Sequence, residues 1–148
     1  MSTDKKKLDN YEINIAIIGL GYVGLPLAIE FGKIYNTVGF DINQKRIEDL
    51  KNSRDSTSSI NNSEFAESNF LSFTTDEDLI QDCNVYIVAV PTPLDNNNQP
   101  DLQSLKSACK IVGKVLTPGN LVIFESTVYP GATEELCVPI LTEQSKLT

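Results

Sequence analysis

The chain has 148 residues, 41 % hydrophobic and 22 % charged, with a formal net charge of −8. That balance opposes nucleic acid and anionic membrane surfaces as partners, while the length suits one domain able to bury ~68–70 % of its unfolded surface. The chain contains no histidine, which removes the commonest general base and the commonest metal ligand, so no metal site is expected.

Residues 1–11 are polar and include Lys5, Lys6 and Lys7. A solvated tail is expected there, followed by one folded domain over 12–148. No apolar run reaches the length of a membrane-spanning helix, and the N-terminus has no signal-peptide core. Cys83, Cys109 and Cys137 are far apart and form no C-x-x-C. They read as small core residues in a reduced, cytoplasmic setting.

The first element is the stretch INIAIIGLGYVG over 13–24. Its β-branched, apolar first half suits a strand buried on both faces. Gly19, Gly21 and Gly24 then give G-x-G-x-x-G where strand should pass into helix. Gly19 permits the tight turn, Gly21 lets a pyrophosphate approach the backbone, and Gly24 allows close helix packing. The helix N-terminus adds free N–H groups and positive dipole for phosphates. Leu27, Ala28, Phe31, Ile34 and Tyr35 continue at helical spacing. TVGFD over 37–41 reads as a second strand ending in an acid. Asp41 lies about twenty residues past the glycines, where this fingerprint places a carboxylate for ribose hydroxyls.

Asn43 is a candidate cap for a helix to about residue 52, with Ile47 and Leu50 inward. Residues 53–63 are rich in Ser, Asn and Asp and read as a mobile surface loop. A short helical piece around 64–68 and a third strand over 70–74 follow. Thr75 and Asp78 resemble a capping pair for a helix to about residue 82. VYIVAV over 85–90 is a buried parallel strand stopped by Pro91 and Pro93. From about residue 101 a helix carries Leu102, Leu105, Cys109, Val112 and Leu116 on one face. LVIF over 121–124 is the fifth strand, and a last helix carries Leu136, Cys137, Ile140 and Leu141.

Strict β-α alternation with right-handed crossovers predicts an α/β fold, a Rossmann-type doubly wound parallel sheet of order 3-2-1-4-5. Ligands bind such sheets at the carboxyl ends of the strands, where the order reverses. Three loops should therefore face a dinucleotide: 19–24, 90–93 and 125–127.

With these loops placed, the sequence resembles the NAD-binding domain of the UDP-glucose and GDP-mannose dehydrogenase family. The matching stretches are IAIIGLGYVGLPLA, GFDINQKRI, VAVPTPL and ESTVYPGATEE. Glu125 and the following TEE look most like the branch acting on UDP-N-acetylhexosamines, the Vi-antigen type. The resemblance implies an NAD-dependent oxidation of a sugar C6 alcohol to a carboxylate, with two NAD and a covalent thiohemiacetal on a cysteine, for surface polysaccharide synthesis. It implies a UDP-sugar substrate and a homo-oligomeric intact enzyme.

Carried over by position, Leu20, Tyr22 and Val23 lie with the glycines along the pyrophosphate. Asp41 and Arg46 hold the adenosine ribose. Val90, Thr92, Ser126 and Thr127 line the cofactor's path toward the nicotinamide. The family's catalytic cysteine belongs to a GGxCxP segment, with a lysine and an asparagine in the central region. None of these is matched here, so no catalytic residue is assigned. The chain resembles a domain that stops after the fifth helix, whose fifth strand would then be an open edge, able to self-associate or to be covered by the chain's own tail. Two other readings stay open: a stand-alone dinucleotide-binding regulatory module, and another Rossmann enzyme such as a β-hydroxyacid dehydrogenase.

Overall fold

The computed structural model describes residues 12–147, and the expected tail over 1–11 lies outside the described residues. Five parallel strands form one sheet in the order β3-β2-β1-β4-β5. They are β1 (Asn14–Ile18), β2 (Asn36–Phe40), β3 (Leu71–Thr74), β4 (Val85–Val88) and β5 (Leu121–Phe124). The helices are α1 (Gly24–Gly32), α2 (Gln44–Lys51), α3 (Asn62–Glu67), α4 (Gln103–Val115) and α5 (Val138–Ser145). This is the expected order, and it follows from right-handed crossovers that reverse direction between β1 and β4.

β1 shows why both faces had to be covered. Ile15 and Ile17 pack with Leu25, Ile29, Ile47 and Leu50 of α1 and α2. Ala16 and Ile18 face the other way, toward Leu105, Cys109, Val112 and Leu141 of α4 and α5. Period-two alternation thus feeds two separate cores from one strand. Each fully buried Ile or Leu contributes roughly 1.5–3 kcal/mol by leaving water.

Several element ends differ from the sequence reading. α1 stops at Gly32, so Ile34 leaves the inward stripe and is 70 % exposed. Tyr35 instead packs beside the Phe31 ring. A Cβ at Gly32 would come within 2.6 Å of Leu71 Cβ, so this helix end lies tight on β3. The helix expected from Thr75 is a single 3-10 turn, Glu77–Ile80, capped by Asp76, whose side chain takes the Asp78 N–H. The buried Tyr86 hydroxyl donates to the Ile80 and Cys83 carbonyls, which ends the turn. The last helix opens with a π turn, Thr133–Cys137, before α5. Pro139 has no N–H for an i−4 carbonyl, so a regular helix cannot run through this point.

As expected, Asn43 caps α2 by accepting the Arg46 N–H at 3.1 Å. α3 carries a reciprocal capping box between Asn61 and Glu64. Among the described residues no helix is long and apolar enough to cross a membrane.

Candidate functional site at the strand ends

The hydrogen-bond ladder runs one step past each strand and brings the loops to one edge. Gly19 N–H donates to Phe40 O, Ala89 N–H to Ile18 O, Asp41 N–H to Thr74 O and Glu125 N–H to Val88 O. Gly19, Asp41, Ala89 and Glu125 thereby start their loops at one level. Against this edge lies a cavity of about 600 Å³, bordered by the glycine-rich turn, Asp41, Arg46, Val90, Pro91 and one face of α4.

The three glycines have different causes. Gly19 has φ +93°, a conformation other L residues rarely adopt. A Cβ at Gly24 would collide with the Gly19 carbonyl oxygen and come 3.4 Å from Ala89 Cβ. The close packing expected at Gly24 is therefore against the turn itself. At Gly21 nothing in the protein lies within 4 Å of an added Cβ. No internal contact requires glycine there, and the open space is what a pyrophosphate needs.

α1 begins without a side-chain cap and without an acid in its first turn. Its N-terminal dipole is thus neutralised by no carboxylate of its own. Tyr22 and Val23 are exposed at this end, 75 % and 49 %.

Asp41 is part of the turn as well as of the cavity wall. Its Oδ2 accepts the Leu20 N–H at 2.9 Å and its Oδ1 accepts the Asn43 N–H at 2.9 Å. Each carboxylate oxygen keeps a further lone pair, so ribose hydroxyls still have acceptors. Arg46 borders the cavity, but its Nε and Nη2 donate to the Leu20 carbonyl, at 2.9 and 2.7 Å. Its Nη1 donates to Asp55 Oδ1 at 2.9 Å and to Ser56 Oγ at 3.0 Å. The Leu20 peptide is held on both sides, its N–H by Asp41 and its C=O by Arg46.

The loop expected to be mobile is organised around Asp55. That carboxylate is 1 % exposed and accepts from the N–H groups of Thr57, Ser59 and Ile60 and from the Thr57 hydroxyl. Burial alone would raise its pKa. The bonds from Thr57, Arg46 and Ser59 outweigh burial and bring it from 3.8 to about 2. A Ser- and Asn-rich composition does not reveal a loop folded onto one buried acid.

At the other end of the cavity two loops are tied together. Ser126 Oγ donates to the Val90 carbonyl at 2.7 Å, and Thr92 Oγ1 donates to the Thr127 carbonyl at 2.6 Å. The structure thus brings Val90, Thr92, Ser126 and Thr127 together as a latch, with Val90 on the cavity wall. Sequence reasoning missed the α4 face, where Ser104, Ser107, Ala108 and Ile111 line the cavity. Their helical spacing and small size next to the Leu105–Cys109–Val112 stripe were the available signal. It also missed Ser56 and Thr57, which reach the wall only through the Asp55 turn.

The cysteines lie away from this wall. All three are free and buried. Burial, with Asp82 nearby, pushes the Cys83 thiol to about 11; burial and Cys137 push Cys109 to about 12. Burial also raises Cys137, partly offset by its bond with Cys109. None has the depressed pKa of a nucleophile.

Comparison with known proteins agrees with this geometry. The profile of the UDP-glucose/GDP-mannose dehydrogenase family, NAD binding domain, matches residues 13–148. The chain is 55 % identical over 136 residues to the UDP-N-acetyl-D-glucosamine 6-dehydrogenase of Pseudomonas aeruginosa, covering 92 % of this chain and 32 % of that protein. It is 54 % identical over 137 residues to the enzyme of the same name from Salmonella typhi, covering 93 % and 32 %. The solved structure of the UDP-D-ManNAc dehydrogenase from Pyrococcus horikoshii superposes with a TM-score of 0.83 at 34 % identity, over 91 % of this chain and 33 % of that one. The chain spans about a third of the length of the curated relatives it matches. With the expected sheet order, the open Gly21 turn and the Asp41 wall in place, the chain belongs to the UDP-glucose/GDP-mannose dehydrogenase family and carries its NAD binding domain.

Proposed function

We propose that this chain is the nucleotide-binding part of an NAD-dependent 6-dehydrogenase acting on a UDP-N-acetylhexosamine in surface polysaccharide synthesis. The C6 alcohol would become a carboxylate by losing two hydrides and gaining its second oxygen from water. The observation that carries the reading is Gly21, open to solvent in a cavity that also presents the Asp41 carboxylate. The 55 % identity to a UDP-N-acetyl-D-glucosamine 6-dehydrogenase supports the sugar class.

Bound NAD supplies the hydride acceptor. The chain's own residues bind and orient. Asp41 accepts from the adenosine ribose hydroxyls, and the N–H groups at the start of α1 meet the pyrophosphate. Val90 and Pro91 would give one side of the site an apolar wall, and the Thr92–Thr127 and Ser126–Val90 bonds would fix the two loops beside the nicotinamide. Proton abstraction and covalent chemistry need a base and a thiolate. The chain has no histidine, and its thiols are buried with raised pKa values. The chemistry is therefore assigned to segments outside these 148 residues, and the intact enzyme to a cytoplasmic homo-oligomer.

The test is to saturate the purified chain with NAD and offer UDP-N-acetylglucosamine, UDP-N-acetylgalactosamine, UDP-N-acetylmannosamine and UDP-glucose. Calorimetry should give NAD binding, and NADH absorbance should stay flat. No NAD binding sinks the proposal. Turnover abolished by changing Cys83, Cys109 or Cys137 overturns the assignment of chemistry elsewhere.

A further inference from the structure

Arg46 borders the cavity beside Asp41. A guanidinium there is well suited to take a phosphate in its fork. In this chain four of its five donors are committed: two go to Leu20 O, one to Asp55 and one to Ser56. The Arg46 side chain is 10 % exposed, and its carboxylate partner 1 %. Asp55 is itself fixed by three backbone N–H groups and one hydroxyl.

We propose that Asp55 is a positioning and specificity-determining residue of the dinucleotide site. It holds Arg46 against the Leu20 carbonyl, which fixes the glycine-rich turn. It also occupies the cation that a 2′-phosphate on the adenosine ribose would otherwise pair with. The inference rests on reading this cavity as the dinucleotide site. The two acids divide the work: Asp41 lines the cavity and meets the ribose directly, whereas Asp55 is absent from the wall and acts through Arg46. A partly buried arginine that loses its carboxylate must find another anion, and the ribose end of the cavity is where one would arrive.

Two measurements test this. First, NAD and NADP affinities are determined by calorimetry for the unaltered chain, for Asp55→Asn and for Asp55→Asn with Arg46→Gln. Asp55→Asn should lower the preference for NAD over NADP by roughly tenfold or more, the size of one charge-assisted hydrogen bond. The second substitution should abolish that change. A variant that binds both nucleotides more weakly by one common factor overturns the specificity role. Second, amide hydrogen exchange is followed without nucleotide. Asp55→Asn should quicken exchange over 19–24 as well as over 57–60, and a change confined to 57–60 overturns the positioning role. Should Asp55→Asn fail to fold, Arg46→Lys serves instead. Its ammonium cannot reproduce the four bonds by which the fork joins Leu20, Asp55 and Ser56, so unchanged exchange over 19–24 again overturns the role. An unaltered chain that binds neither nucleotide refutes the dinucleotide reading, and with it the specificity role; the exchange measurement still decides the positioning role.

Discussion

At Asp41 one carboxylate has two duties. It takes the Leu20 and Asn43 N–H groups, and it keeps acceptor capacity for a ligand. Losing a charge-assisted hydrogen bond costs ~1.5–3 kcal/mol, so Asp41→Ala should weaken NAD binding roughly 10- to 150-fold by calorimetry. Equal affinities would remove Asp41 from the site. Gly24 is set by contact with the turn. A side chain there must displace the Gly19 backbone, whose carbonyl carbon would lie 2.8 Å from the new Cβ. Gly24→Val should therefore cost about 3 kcal/mol, the upper end for overpacking. A melting temperature and NAD affinity equal to the unaltered chain's would count against this. The cysteines give a chemical check: the folded chain at pH 8 should leave a thiol reagent untouched, and the unfolded chain should titrate 3 thiols.

The 53–60 loop behaves as an element because Asp55 ties it to α2 and to the glycine-rich turn. Its folded pKa is depressed from 3.8 to about 2. The stabilisation is thus present above the unfolded value and is lost as pH falls through the folded one. At roughly 1.4 kcal/mol per pKa unit, this group contributes about 2 kcal/mol near neutral pH. Denaturant midpoints measured between pH 5 and pH 2 should fall for the unaltered chain, and fall less steeply for Asp55→Asn. Parallel pH curves would show that this carboxylate does not couple to folding. The loop also shows how side chains redirect local propensity. Pattern alone favoured a helix after Thr75; Asp76 caps its start, but the Tyr86 hydroxyl takes the Ile80 carbonyl that a longer helix would have used.

At the scale of the whole molecule, a ligand that binds only the folded state stabilises it by mass action. NAD at 100 times its dissociation constant should add ~2.7 kcal/mol, raising the melting temperature by roughly 5–10 °C. NADP at the same concentration should add less. β5 is the outer strand next to β4, and Leu121 at its start is 53 % exposed. Unpaired N–H and C=O groups along an outer strand are a template for further pairing. Light scattering of the chain alone should show mass rising with concentration, with slow exchange over 121–124 in the associated form. A strict monomer with fast exchange there refutes edge pairing.

Sheet order and cofactor were legible in the sequence because both depend on short-range signals. Apolar β-branched runs specify buried parallel strands, and right-handed crossovers leave few ways to order them. Gly19, Gly21, Gly24 and Asp41 sit at spacings that only a strand-turn-helix unit makes meaningful. What the tertiary structure alone decided is how distant groups compensate one another. Arg46 and Asp55 are 9 residues apart, and Arg46 and Leu20 are 26. No periodicity links a loop acid to a carbonyl in another turn, yet burying a charge requires such partners. The small-residue wall of α4 became part of the cavity because α4 packs on β4 beside the glycine-rich turn. Sequence spacing picked out only the apolar stripe of α4, and packing decided what the small-residue face beside it meets.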